Sequence, residues 1–126
     1  MVYLGAMFRD VPNLAMSVGY TNASWTLKCE LICNYLCKIL NHMDAHGYNQ
    51  CVPRLHDDSV HEVPFSALSS GYVQRALHMF PKQGSKTPWR VHQNYLLDLM
   101  GFRWRSANDG TMEFSTQSNT STTGER

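Results

Sequence analysis

Apolar residues recur along this chain in two rhythms, and the place where one gives way to the other is its most informative stretch. Residues 13–18, Asn-Leu-Ala-Met-Ser-Val, form a short, mostly apolar run closed by Gly19, which suits a buried parallel strand. From residue 24 to about 45 the spacing changes. Leu27, Leu31, Tyr35, Ile39 and Met43 recur every four residues, with Ile32, Leu36 and Leu40 beside them. A stripe that broad predicts a long helix buried on most of its circumference, capped by Asn22 or Ser24 and stopped by Gly47.

The flanking pattern is weaker. Val2-Tyr3-Leu4 reads as the end of a strand, and residues 50–63 read as a polar connection. A shorter helix is expected over residues 70–80, with Tyr72, Val73, Ala76, Leu77 and Phe80 inward and Pro81 ending it. Residues 82–87 read as a loop. Pro88 fits the first turn of a third helix that turns Val91, Tyr95, Leu96 and Leu99 inward. Asn108-Asp109-Gly110 reads as a hairpin turn between Phe102-Arg103-Trp104 and residues 111–114. Beyond Ser115 the run of Thr, Ser, Asn, Gly and Gln has little to bury, and disorder is expected there.

Length and charge then narrow the function classes. A chain of 126 residues is one domain or less. A net charge of +1 gives no strong attraction to nucleic acid or to an anionic membrane. No apolar window reaches the ~18 residues that a transmembrane helix needs, and no signal peptide is recognisable. Three of the four cysteines fall within one helix rather than in a disulfide framework, which fits a reducing cytoplasm.

Four clusters are candidates for chemistry. A strand turning through Gly19, Tyr20, Thr21 and Asn22 into a helix aims the helix's first N–H groups outward, where they favour an anion or a polarised carbonyl. The same junction also serves as a plain connection between buried elements. Cys29, Cys33 and Cys37, with His42 and His46 beyond them, have a spacing that can bind zinc, but a packing role beside the apolar stripe is the expected one. His56, Asp57, Asp58, His61 and Glu62 match no ligand spacing and read as a solvated loop. Lys82, Lys86, Arg90, Arg103 and Arg105 interleave with Trp89 and Trp104, and a structural role is expected over nucleic-acid binding.

The wording of the junction is specific. Gly19-Tyr-Thr-Asn-Ala-Ser-Trp-Thr-Leu-Lys28, preceded by Pro12-Asn13-Leu14 and followed by residues 37–44, resembles the FAD- and NADPH-dependent Baeyer–Villiger-type flavin monooxygenases of the ethionamide-activating group. The likeness continues through residues 70–77, 81–86, Pro88-Trp89-Arg90 and Gln93-Asn94-Tyr95, up to about Asp109. It covers only the C-terminal end of such an enzyme. The resemblance implies an α/β fragment: the last strand and long helix of a Rossmann-like FAD-binding domain, then a mostly helical C-terminal extension. The implied boundaries are residues 1–48 for the end of the FAD domain, 49–109 for the extension and 110–126 for a disordered polar tail.

By position, Thr21, Asn22, Ala23 and Ser24 would bind the flavin at its O2 and N1 edge, with Trp25 beside the substrate pocket. The implied activity is oxygen insertion beside a ketone or oxidation of a soft sulfur, using FAD, NADPH and O2. No catalytic or metal-ligating residue is assigned to this segment. No G-x-G-x-x-G loop occurs in it, so the adenine and pyrophosphate of FAD, and all of NADPH, would be bound elsewhere. A truncated gene product, inactive and weakly stable alone, is therefore the expectation. The alternative is a small helical protein-binding module without a cofactor.

Overall fold

Residues 1–20, 22–65 and 71–118 are described by a computed structural model of the chain. Its longest element is helix α1, Trp25–His46, where the four-residue stripe places it. Gly47 ends the helix in the left-handed region at φ 68°. From there its N–H donates to Asp44, and that of Tyr48 reaches back to Met43 at 2.9 Å. This pair of bonds satisfies carbonyls that the helix leaves open, and it requires a residue tolerant of positive φ.

Among the described residues the strands are short and form three separate antiparallel pairs. Strands β1 (Val2–Tyr3) and β2 (Met7–Phe8) make a hairpin, in which positive φ at Leu4 and Gly5 and an Ala6-to-Tyr3 bond close a tight turn. Strand β3 (Gln50–Pro53) pairs with β6 (Met112–Ser115), matching Gln50 to Ser115 and Pro53 to Met112. Strand β4 (Glu62–Val63) pairs with β5 (Gln83–Gly84). Helix α2 (Gly71–Ala76) runs into a 3₁₀ turn at Leu77–Met79, and α3 (Tyr95–Trp104) packs along α1.

One apolar cluster unites these pieces. It takes Tyr3 and Ile32 from the first expected segment, Cys51 and Trp89 from the second, and Met112 from the third. Tyr3 meets the Trp89 ring edge-on at 5.4 Å, and its hydroxyl lies 2.9 Å from that of Tyr35. The tail expected from residue 110 therefore begins with a strand, and its residues 119–126 lie outside the described residues.

Several local expectations are corrected. Residues 13–18 form no parallel strand: they make a single bridge, Met7 to Ala15, and leave Leu14 and Val18 exposed. Asn13 explains the break. It sits at φ 54°, its side chain donates to Asn49 O and accepts from Cys51 N, and its own N–H donates to Cys51 O. Those bonds tie the segment crosswise to β3 instead of along a ladder. The connection 50–63 and the loop 82–87 each contain strand residues, too few for a two-residue period to register. In the helix expected over 70–80, Val73 is the buried residue while Tyr72 and Phe80 face solvent; Ser70 lies outside the described residues.

Pro88 does not open the third helix. The N–H groups of Trp89 and Arg90 both donate to Lys86 O, making a turn that carries the Trp89 ring into the core after a cis Thr87–Pro88 peptide. Helix α3 starts instead at Asn94, whose Oδ1 accepts from the N–H groups of Leu96 and Leu97 at 3.0 and 3.2 Å. It runs on through Phe102-Arg103-Trp104, so the Asp109-Gly110 turn joins a helix to β6 rather than two strands of a hairpin.

Candidate functional site

The junction from Gly19 to Lys28 is held from both sides. Gly19 lies so close under Trp25 that a β-carbon on it would sit 2.4 Å from the indole and 2.5 Å from the Trp25 carbonyl. Only glycine permits that approach. Tyr20 is buried and donates its hydroxyl to Asp98 Oδ2 at 2.6 Å. Burial first, and then the bonded carboxylate, push that hydroxyl's pKa far above its ordinary value. On the other side of the turn, Lys28 Nζ reaches the same Asp98 oxygen at 2.6 Å. Lys28 and Asp98 are 3% and 7% exposed, so this ion pair is shielded from water. The ammonium also lies 5.2 Å from the Tyr20 ring centre and 5.7 Å from that of Phe102.

Between these anchors the predicted cofactor residues lie at the surface. Asn22, Ala23 and Ser24 are exposed, and Asn22 Nδ2 donates to Gln93 O at 3.2 Å. Thr21 falls outside the described residues. Ser24 takes the N-cap position, but its hydroxyl pairs with Thr26 Oγ1 rather than with a helix amide. The first turn of α1 carries no acidic residue. The positive end of a 22-residue helix is thus left without a side-chain cap or a nearby carboxylate.

Trp25 is 53% exposed and packs over Gly19. It does not line the neighbouring cavity of about 300 Å³, whose walls are Phe8, Val18, Gly19, Phe80, Val91 and the Lys28 stem, with others. That cavity brings the junction together with residues of the expected C-terminal extension.

The other candidates separate. Cys33 and Cys37 are exposed and Cys29 half-buried, so the cysteine stripe does not pack into the core as expected; the buried thiol is that of Cys51. The reason is rotational: Lys28, Leu31, Ile32, Tyr35 and Ile39 face the core, which turns the cysteines outward. Among the described residues no group of three or more His, Cys, Asp or Glu is arranged to hold a metal. In the acidic loop, Glu62 pairs with Lys82 at 3.1 Å and His56 lies 3.2 Å from Glu113. Of the basic and aromatic residues, Trp89 is buried and Arg105 pairs with Asp109.

The Tyr20–Asp98–Lys28 lock was not singled out in the sequence. Its signal was present nonetheless. Lys28 falls on the same helical face as Ile32, Tyr35 and Ile39, and Asp98 lies one turn before Phe102. Opposite charges on two core-facing helical positions imply a buried pair, since a lone buried charge is prohibitive.

Relatives fix the class: the chain belongs with the FAD-containing monooxygenases, of which it matches a segment. It is 42% identical over 115 residues to FAD-containing monooxygenase EthA of Mycolicibacterium smegmatis, covering 91% of this chain and 23% of that relative. EthA of Mycobacterium tuberculosis is 45% identical over 115 residues, covering 91% of this chain and 24% of its own length. The relative named "Probable FAD-binding monooxygenase AlmA", from Acinetobacter baylyi, is 42% identical over 125 residues, 95% of this chain and 24% of its own. The chain thus spans about a quarter of the length of these curated relatives. No family model matches it, and no solved structure does. No helix among the described residues is long and apolar enough to cross a membrane.

Proposed function

We propose that this chain is the C-terminal segment of an FAD- and NADPH-dependent monooxygenase, and that the start of α1 faces the flavin. The observation that carries this reading is the bare α1 N-terminus inside a chain 42–45% identical to FAD-containing monooxygenases. The residues present fit the pyrimidine edge of a flavin, which needs N–H donors and a positive field beside its carbonyl oxygen and N1. Backbone amides at Asn22, Ala23 and Ser24 supply the donors, and the aligned peptide dipoles of α1 supply the field. Lys28 contributes little net charge there, because Asp98 neutralises it. Its part is to hold the turn with Tyr20.

FAD reduced by NADPH and reoxidised by O2 supplies oxygen transfer, here to a ketone in Baeyer–Villiger fashion or to a soft sulfur. The chain's own contribution is to orient the flavin ring and favour negative charge on it. Residues 13–18 would then pair as the last strand of a Rossmann-like sheet once the rest of that sheet is present. The competing reading is a cofactor-free helical module that works through protein contacts, and it draws on the exposed Leu96, Leu97, Met100 and Trp104 of α3.

A chimera separates the two. This chain replaces the aligned quarter of the M. smegmatis EthA polypeptide, and the purified product is tested for bound FAD by its visible spectrum and for ketone-dependent NADPH oxidation. Yellow protein with ketone-dependent turnover supports the flavin reading. A soluble, folded, colourless chimera removes it.

A further inference from the structure

Helix α1 carries more apolar surface than this fold covers. Its core side is filled by Lys28, Leu31, Ile32, Tyr35 and Ile39. At 100° per residue, a second stripe runs along its outward flank through Trp25, Cys29, Cys33, Leu36 and Leu40. Leu40 is 59% exposed and Cys33 is open to solvent. Cysteine and leucine are among the residues most often buried, so such a stripe on a solvated face marks an interface rather than a surface.

Two features next to the stripe point the same way. A groove of about 320 Å³ separates it from residues 13–15, with Met7, Leu36, Leu40, Met43 and Cys51 among its walls. Along its far lip, residues 14–18 expose Leu14 and Val18 and make a single bridge at Ala15. A helix flank, a groove and a nearly unpaired chain segment form one continuous face.

We propose that this face docks the portion of the monooxygenase polypeptide that the chain lacks, which lies against α1 as an apolar layer and sets a strand edge along residues 14–18. The inference rests on the flavin-monooxygenase reading and names the partner of that same junction. Length supports this occupant, because about three quarters of each relative has no counterpart here. Charge disfavours a second copy. The rim of the stripe carries Glu30 and Asp44, while both lysines of α1 are engaged, Lys28 by Asp98 and Lys38 by the carbonyls of Phe102 and Arg103. Self-pairing would set carboxylates against carboxylates with no cation between them.

The cysteines make the face directly measurable. N-ethylmaleimide labelling of each thiol is followed by mass spectrometry in the isolated chain and in the EthA chimera. Cys51 is the internal control, since burial both hides its thiol and raises its pKa; its labelling would report unfolding. Cys33 and Cys37 are expected to react readily in the isolated chain and at least ~10-fold more slowly in the chimera. Leu40→Asp should leave Cys51 protected in the isolated chain yet restore Cys33 labelling in the chimera. Unchanged Cys33 and Cys37 rates in a chimera that binds FAD would overturn the docking face and leave the flavin reading standing. Protection in a colourless chimera would do the reverse. Labelling of the isolated chain that slows as its concentration rises would overturn the proposal in favour of a second copy, and a colourless, fully labelled chimera would sink both ideas.

Discussion

Lys28 and Asp98 form a buried ion pair of 2.6 Å between the first turns of α1 and α3, and Tyr20 donates to the same carboxylate oxygen. Removing one partner leaves the other charge desolvated and alone. Asp98→Ala is expected to cost about 3–5 kcal/mol of unfolding free energy, measured by urea titration. Replacing both, as Lys28→Met with Asp98→Leu, should cost clearly less than Asp98→Ala alone. A double variant as unstable as the sum of its singles would show that the two charges do not act as a pair.

Gly19→Ala tests the close approach under Trp25. The added methyl meets the Trp25 carbonyl as well as its ring, so the backbone must move. A loss of about 1–3 kcal/mol is expected, as for overpacking in a tight site. The Trp25 emission maximum should shift with it, read in a Trp104→Phe background. Unchanged stability and emission would mean the junction is looser than described.

Alkali should loosen the core before it reaches the surface. Burial above all pushes the Tyr35 hydroxyl from 10.0 up to about 12; the Tyr3 bond opposes that rise, and the Asp109 charge adds to it. The unfolded chain releases this proton near pH 10 while the folded one keeps it. Its contribution is therefore complete below pH 10 and is lost as pH climbs toward 12, at about 1.4 kcal/mol per pH unit. Tyr3 and Tyr20 are raised in the same direction and steepen the fall. Urea midpoints at pH 9, 10 and 11 check the slope, and Tyr35→Phe should flatten it.

Asn94→Ala removes the cap of α3. Two helix amides lose their acceptor, and about 1 kcal/mol of stability should go with them. Asn94→Asp should retain most of it. A silent alanine variant would imply that water replaces the cap without penalty.

Helix α1 was legible because its apolar period runs unbroken from Leu27 to Met43 and Gly47 stops it. The β-structure was not. Its two-residue strands are too short to show alternation, and β3 finds its partner in β6, far along the chain, with no turn motif between them to announce the pairing. Pro88 misled because proline suits a helix's first turn, whereas here the buried Trp89 ring and the Lys86 turn bonds decide the path. At the site, the junction stood out as a motif, and Asn22, Ala23 and Ser24 lie at the surface around a bare helix end. Asp98 stayed hidden because a carboxylate in a helix reads as a solvated position until its buried lysine is found.

The β3–β6 pairing also bears on how the chain is made. Ser115 must leave the ribosome before it can meet Gln50, and Met112 enters the shared core only then. Through most of its synthesis the segment therefore exposes Cys51 and an open strand edge to whatever else is emerging. Its final packing is a step that follows translation of β6, which makes that interval the one in which a chaperone, or the polypeptide made before it, has access to the core.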